Sequence, residues 1–224
     1  MMMQQKVIGG ANKLIELLFN SDFIDTSPLN NAPYTSAGAQ AVIGGKCVFS
    51  ANGGSIGLRY SPIGTINPYA LCFSDGTKDL PFTYSADFNL TSWNQNNYNI
   101  LAANFTSNTN GNKIWGISFS TTTIEVQLCN YNDYNQRIYK LFTFSISLST
   151  DYNIRVTYDA SGAIGGIRLW INNSEITAYT NSSVGTYTRM SRSSQEVNFG
   201  GLYFASNYDF RGTMDNIIIY DAVV

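Results

Sequence analysis

The sequence contains no histidine. That absence removes Ser-His-Asp and Cys-His nucleophilic catalysis and every histidine-ligated zinc centre, because each needs an imidazole as base or ligand. Glutamate is nearly missing as well, at Glu16, Glu125, Glu175 and Glu196 only. None has an acidic residue two positions away, so no single strand carries the clustered carboxylates with which a sandwich glycosidase brackets its scissile bond. Glu125, between Ile124 and Val126, reads as a solvated strand residue, and no enzymatic activity is expected. Basic residues number 13 against 15 acidic ones and are scattered, for a net charge of −2. No basic stripe exists to neutralise phosphates, and nucleic acid is not an expected partner. The three cysteines, Cys47, Cys72 and Cys129, are odd in number and far apart, which excludes a closed disulfide framework or a metal knuckle and leaves buried free thiols acting as small hydrophobes. No apolar run reaches membrane-spanning length, and the opening MMMQQKVIGGANKL lacks the apolar core and small-residue cleavage pattern of a secretory signal. Folding in a reducing cytosol, without membrane association, is the expectation.

Against these absences stand 44% hydrophobic and 14% aromatic residues with only 12% charged, the balance of a globular chain with a neutral surface rich in Asn, Ser, Thr and Tyr. One sandwich of 224 residues buries roughly three quarters of its unfolded surface, so no second domain is required. Residues 1–12 are polar, Gly-containing and unpatterned, and read as an N-terminal arm; residues 13–224 read as one domain. Ala11 to Leu18 is the one stretch where a short helix competes with a strand. Alternating runs follow at Ala39 to Ile43, Lys46 to Ser50, Ser55 to Tyr60 and Tyr69 to Ser74, cut by Gly44-Gly45, Asn52-Gly53-Gly54, Pro62, Gly64 and Pro68. A spacing near ten residues with Gly and Pro punctuation predicts an all-β sandwich. Further strands are expected at Pro81 to Leu90, Asn99 to Asn104, Lys113 to Ser120, Thr123 to Cys129 and Ile138 to Leu148. Tyr152 to Tyr158 and Gly166 to Asn172 form a hairpin around Asp159-Ala-Ser-Gly162, Ala178 to Gln195 reads as a loop, and Glu196 to Ala205 as the next strand. Arg211 to Val224 closes the chain with the β-branched run Asn216 to Tyr220, which suits a strand buried on both faces.

The closing run Gly-Thr-Met-Asp-Asn-Ile-Ile-Ile-Tyr, residues 212–220, resembles the final strand of concanavalin A-like lectin sandwiches of the laminin-G-like and pentraxin-like group. The resemblance extends to Tyr158-Asp159 with Gly162, to Leu169-Trp170-Ile171-Asn172 with Asn173 where Gly is usual, to Cys47-Val48-Phe49-Ser50, to Pro81 to Leu90, and to Phe19-Asn20 followed by Asp25-Thr26-Ser27. It implies a two-sheet antiparallel jelly-roll sandwich in which the last strand returns beside the first. Asparagine at 173 tolerates the positive φ that such a turn needs.

Two candidate sites follow. A structural calcium ion needs several hard oxygen ligands, and Asn20, Asp22 and Asp25 after the first strand could converge with Asp215 entering the last; the competing reading is that these acids cap turns and bond loop amides. A glycan site pairs an aromatic face with planar amides or carboxylates. Tyr131, Asn132, Asp133, Tyr134 and Asn135 supply both within the stretch Cys129 to Arg137, read as one loop, and Trp93 and Tyr98 have similar chemistry. In a chain with 15 tyrosines a solvated loop competes with that reading. The combination of a lectin-like domain, no export signal and no disulfide staple suggests a non-catalytic phage virion protein (capsid decoration, head fibre or tail-associated) shown on the particle surface. Its partners would be glycans, other virion proteins or further copies of itself. The alternative is a bacterial cell-surface or secreted carbohydrate-binding module.

Overall fold

The computed structural model describes residues 11–19, 26, 34–35, 39–50, 58–60, 69–94, 98–105, 113–130, 133–190, 192, 196–201 and 209–224. In chain order the strands are β1 (Lys13–Leu17), β2 (Tyr34–Thr35), β3 (Ala39–Ile43), β4 (Lys46–Ser50), β5 (Leu58–Tyr60), β6 (Phe82–Leu90), β7 (Tyr98–Phe105), β8 (Lys113–Ser120), β9 (Thr123–Asn130), β10 (Asp133–Thr143), β11 (Asp151–Tyr158), β12 (Ile167–Ile171), β13 (Ser174–Glu175), β14 (Tyr179–Val184), β15 (Val197–Phe199) and β16 (Gly212–Tyr220). They form two antiparallel sheets that make a sandwich. The first runs β13-β12-β11-β6-β16-β4-β3 with β1 also paired to β16, and the second runs β14-β10-β9-β8-β7-β15-β5-β2.

The closing strand is central to the first sheet, with partners β6, β4 and β1. As expected from the resemblance, first and last strands pair antiparallel, Ile15 opposite Ile219 and Leu17 opposite Ile217. Gly212 explains why this strand opens as it does: a β-carbon there would lie 1.9 Å from the Asn89 carbonyl oxygen, so only glycine lets β16 approach β6 this closely. The strand is not buried on both faces. Met214, Ile217 and Ile219 are buried while Thr213, Asp215, Ile218 and Tyr220 are partly covered and Asn216 is exposed, because the outer face of this sheet is open.

Between the sheets, inward residues of every long strand meet in one core in which Phe73 stacks on Phe82 at 4.4 Å and Phe88 lies 5.5 Å from Phe119. Truncating one such ring to alanine costs about 3–5 kcal/mol. All three cysteines are buried and none is in a disulfide, and desolvation pushes the Cys47 thiol pKa well up. Lys140 points inward near one edge and ties the sheets together: its Nζ donates to the Ile167 carbonyl at 2.8 Å and sits 3.7 Å from the centre of the Tyr179 ring, while burial lowers its pKa. A second tie is Asp79, which is buried. Its Oδ2 accepts from the hydroxyls of Tyr158 and Tyr187 at 2.6 and 2.8 Å, and its Oδ1 accepts from Met190 N–H at 2.6 Å.

Several expectations need correction. Tyr69 to Ser74 is not a strand: Ala70–Cys72 is a 3₁₀ turn, Phe73 is left-handed at φ 49°, and Leu71, Cys72 and Phe73 all point into the core, where alternation would have sent one outward. The Leu71 carbonyl there accepts from Asn104 and Trp115 at 3.1 and 2.9 Å. Within the loop expected over Ala178 to Gln195 lies β14, an edge strand whose largely exposed polar side chains hide it from a hydrophobic pattern and discourage strand addition. Asn12, the last residue of the expected arm, is bonded to the C-terminal end of the chain, its backbone N–H and its amide donating to Asp221 Oδ1 and Oδ2 at 2.6 and 2.7 Å. Residues 1–10 of the expected arm lie outside the described residues.

Candidate binding face

The outer face of the first sheet is built by period-two alternation. In β6, Phe82, Tyr84, Ala86, Phe88 and Leu90 are buried, which turns Ser85, Asp87 and Asn89 outward. In β11, Tyr152, Ile154, Val156 and Tyr158 go inward and leave Asp151, Asn153 and Arg155 outside. Thr213 and Asp215 are the outward residues at the start of β16.

Strand pairing then sets these side chains in rows. Asn153 lies opposite Asp87, and Asp87 opposite Asp215; one step along, Asp151 faces Asn89 and Asn89 faces Thr213. The first row is knitted by amides. Asp87 Oδ1 accepts from Asn153 Nδ2 at 2.7 Å and its Oδ2 from Asn216 Nδ2 at 2.6 Å, while Asp215 Oδ1 accepts from Asn216 N–H at 2.8 Å. Asn216 reaches both acids because it sits in a bulge with φ 48°, where the β16 register shifts between Asp215 and Ile218. Asp151 is held below the usual carboxylate range by the Asn89 amide, with Lys46 3.6 Å away as a further cause. Asn172, in a turn where Asn173 takes positive φ as foreseen and Asn172 does so too, accepts from Asn153 N–H at 2.8 Å.

Together Lys46, Asp87, Asp151, Asn153, Asn172 and Asp215 line a groove of about 350 Å³. Carboxylates accept from pairs of hydroxyls, and amides both donate and accept, so this row suits a polyhydroxylated ligand lying flat along the sheet. Both oxygens of Asp87 are already committed to amides, which holds its plane in place before any ligand arrives.

Of the candidate site residues singled out from sequence that are among the described residues, Asp215 alone lines this groove. Asn20, Asp22 and Asp25 lie outside the described residues, although Thr26 just beyond them is tied back to β1, its N–H donating to the Glu16 carbonyl at 2.9 Å and its hydroxyl to Glu16 Oε2 at 2.8 Å. Among the described residues no three acids or cysteines are grouped to hold a metal. Tyr131 and Asn132 also lie outside. Asp133, Tyr134 and Asn135 are not in a loop: they begin β10, directly after β9 ends at Asn130. Trp93 is half-buried against the core, its ring edge-on to Phe119 at 6.0 Å, and Tyr98 opens β7 opposite Ser120. Asp133 to Asn135 and Tyr98 belong to the second sheet, so they do not join Asp215 on the first sheet's outer face. Lys46, Asp87, Asp151, Asn153 and Asn172 were missed; the alternation in Phe82–Leu90 and Asp151–Tyr158 was the available signal.

This architecture places the chain in the class of antiparallel β-sandwich domains, and solved structures share it. No protein-family model matches the chain, and no curated protein matches it. The binding domain of Paraclostridial Mosquitocidal Protein 1 is 18% identical over 95% of this chain and 49% of its own, with a TM-score of 0.64. A botulinum neurotoxin DC binding domain in complex with rat synaptotagmin II is 14% identical over 95% and 49%, TM-score 0.68. A botulinum neurotoxin type C structure is 14% identical over 95% and 48%, TM-score 0.66. At these identities the likeness is one of fold, and the chain spans about half the length of each structure.

Proposed function

We propose that this protein is a non-catalytic, lectin-like sandwich of the concanavalin A-like jelly-roll kind that binds a glycan on the outer face of its first sheet. The observation that carries this reading is the row Asn153, Asp87, Asp215, prearranged by Asn216 beside Lys46 and Asn172. The structural neighbours lend support. The type C toxin structure is described by cell entry dependent upon interaction with two ganglioside molecules, and the DC domain is in complex with a protein receptor. Those partners belong to molecules twice as long as this chain.

A glycan array with Asp87→Ala and Asn153→Ala tests the proposal. Wild-type binding lost in both variants, with melting temperatures within a few degrees of wild type, supports it; binding unchanged in both sinks the assigned face. Release of reducing sugar from any array ligand would overturn the non-catalytic part.

For the setting, we propose display on a phage virion as a capsid, head-fibre or tail-associated protein, anchored by the N-terminal arm of residues 1–12. Mass spectrometry of purified particles, with a chain beginning at Lys13 as comparison, tests it: incorporation of the shortened chain at normal levels removes the anchoring role. A second reading, a module of a bacterial surface or secreted protein, is favoured by the match of this chain to half of bacterial toxin binding domains. Calcium linking Asn20, Asp22 and Asp25 to Asp215 is proposed as a structural addition to either.

A further inference from the structure

The groove continues along β16. Thr213 lines it and also lines a second hollow of about 420 Å³, whose other polar side chains are Arg211 and the hydroxyls of Ser50, Thr91 and Ser92. Thr91 N–H and Oγ1 both donate to the Arg211 carbonyl, at 2.8 and 3.1 Å, which fixes the Arg211 backbone against the end of β6.

Arg211 has neither of the partners that two arginines of the same sheet have. Arg168 donates through Nε and Nη2 to the two oxygens of Glu175 at 2.8 and 2.6 Å, and Arg155 lies 4.4 Å over the Trp170 ring. The Nε of Arg211, like that of Arg155, is sealed from solvent with no hydrogen-bond partner, but among the described residues the Arg211 guanidinium meets neither a carboxylate nor an aromatic face. The terminal Nη donors are not sealed in this way, and in a hollow walled by hydroxyls they offer a place for an acceptor from outside. The planar guanidinium matches a carboxylate or sulfate with two parallel bonds, and the neighbouring hydroxyls can donate to the same oxygens.

The surroundings narrow the ligand. Asp87, Asp151 and Asp215 lie along the adjoining groove, so a polyanion such as nucleic acid would be repelled along most of its length. One negative group at the Arg211 end of a hydroxyl-rich body avoids that repulsion. We propose that Arg211 forms an anion subsite, taking the carboxylate or sulfate of an acidic saccharide whose neutral units lie on the Asn153, Asp87 and Asp215 row. This rests on the glycan reading above.

The test uses oligosaccharide pairs that match except for one substituent: glucuronate for glucose in one set, sulfate for hydroxyl in the other. Wild type is expected to bind the acidic member of at least one set about tenfold more tightly than the neutral one, the set identifying the anion. The gap should narrow as salt rises from roughly 50 to 500 mM, a reading that needs no variant. It should close in Arg211→Gln and shrink in Arg211→Lys, with neutral binding unchanged. Neutral and acidic members bound equally by wild type, or a gap kept in both variants, overturns the anion subsite and leaves the glycan reading standing. No binding of either member overturns both.

Discussion

Asp87 and Asp215 stand directly opposite one another on β6 and β16, and the residue after Asp215 turns left-handed to give its side-chain amide to Asp87 Oδ2 at 2.6 Å. Facing carboxylates in an antiparallel pair repel. Replacing Asp215 with Asn removes that repulsion and keeps an oxygen for the Asn216 N–H, so Asp215→Asn is expected to stabilise the fold by about 0.2–1 kcal/mol in urea unfolding while weakening glycan binding. Lower stability would mean that the charge at 215 is structural.

Gly212 tests how tightly β16 is seated. A β-carbon there meets the Asn89 carbonyl at 1.9 Å, and backbone cannot swing aside as a side-chain tip can. Gly212→Ala should cost about 2–4 kcal/mol, seen as an earlier midpoint in chemical denaturation, with faster hydrogen exchange in β6 and β16. An unchanged midpoint would contradict the register described for these strands.

The Asp79 tie predicts a response to mutation and to alkali. Asp79→Ala strands two tyrosine hydroxyls and the Met190 N–H, and should destabilise by about 3–5 kcal/mol. Burial first, then Asp79, raises the pKa of Tyr158 and Tyr187 above the ordinary 10.0, and burial alone raises that of Tyr84. A raised pKa means that above pH 10 the unfolded chain releases protons which the folded chain keeps. The stability they support is therefore complete below pH 10 and falls as pH rises beyond it, by about 1.4 kcal/mol per pH unit for each tyrosine held neutral. Urea midpoints between pH 8 and 11 read this slope; a flat profile contradicts it.

If calcium joins Asp215 to the segment that holds Asn20, Asp22 and Asp25, adding the ion at 100-fold excess over its Kd should stabilise the fold by about 2.7 kcal/mol, reversed by chelator. The increment should vanish in Asp25→Asn as well as in Asp215→Asn. Equal melting temperatures with calcium and with chelator remove the metal and leave turn capping as the role of those acids.

Much of this fold can be read along the chain because its causes are local. Alternation in Phe82–Leu90 and Asp151–Tyr158 sets which side chains go inward, Gly212 marks a close backbone approach, and Asn172 and Asn173 supply the positive φ of a turn. Pairing of the first and last strands followed from the resemblance of residues 212–220 to a closing strand. The binding face had no such signature. Lys46, Asp87, Asn153 and Asn172 come from separate turns and strands with no such mark, Asp215 was marked only as a metal ligand, and only sheet order and register set them side by side. The bulge at Asn216 was equally hidden, since it is imposed by β16 meeting β6 on one side while pairing with β4 and then β1 on the other. Local sequence determined the strands and the direction of their side chains; the rows across strands, and with them the site, were decided by tertiary pairing, because adjacency across a sheet depends on partners distant in sequence.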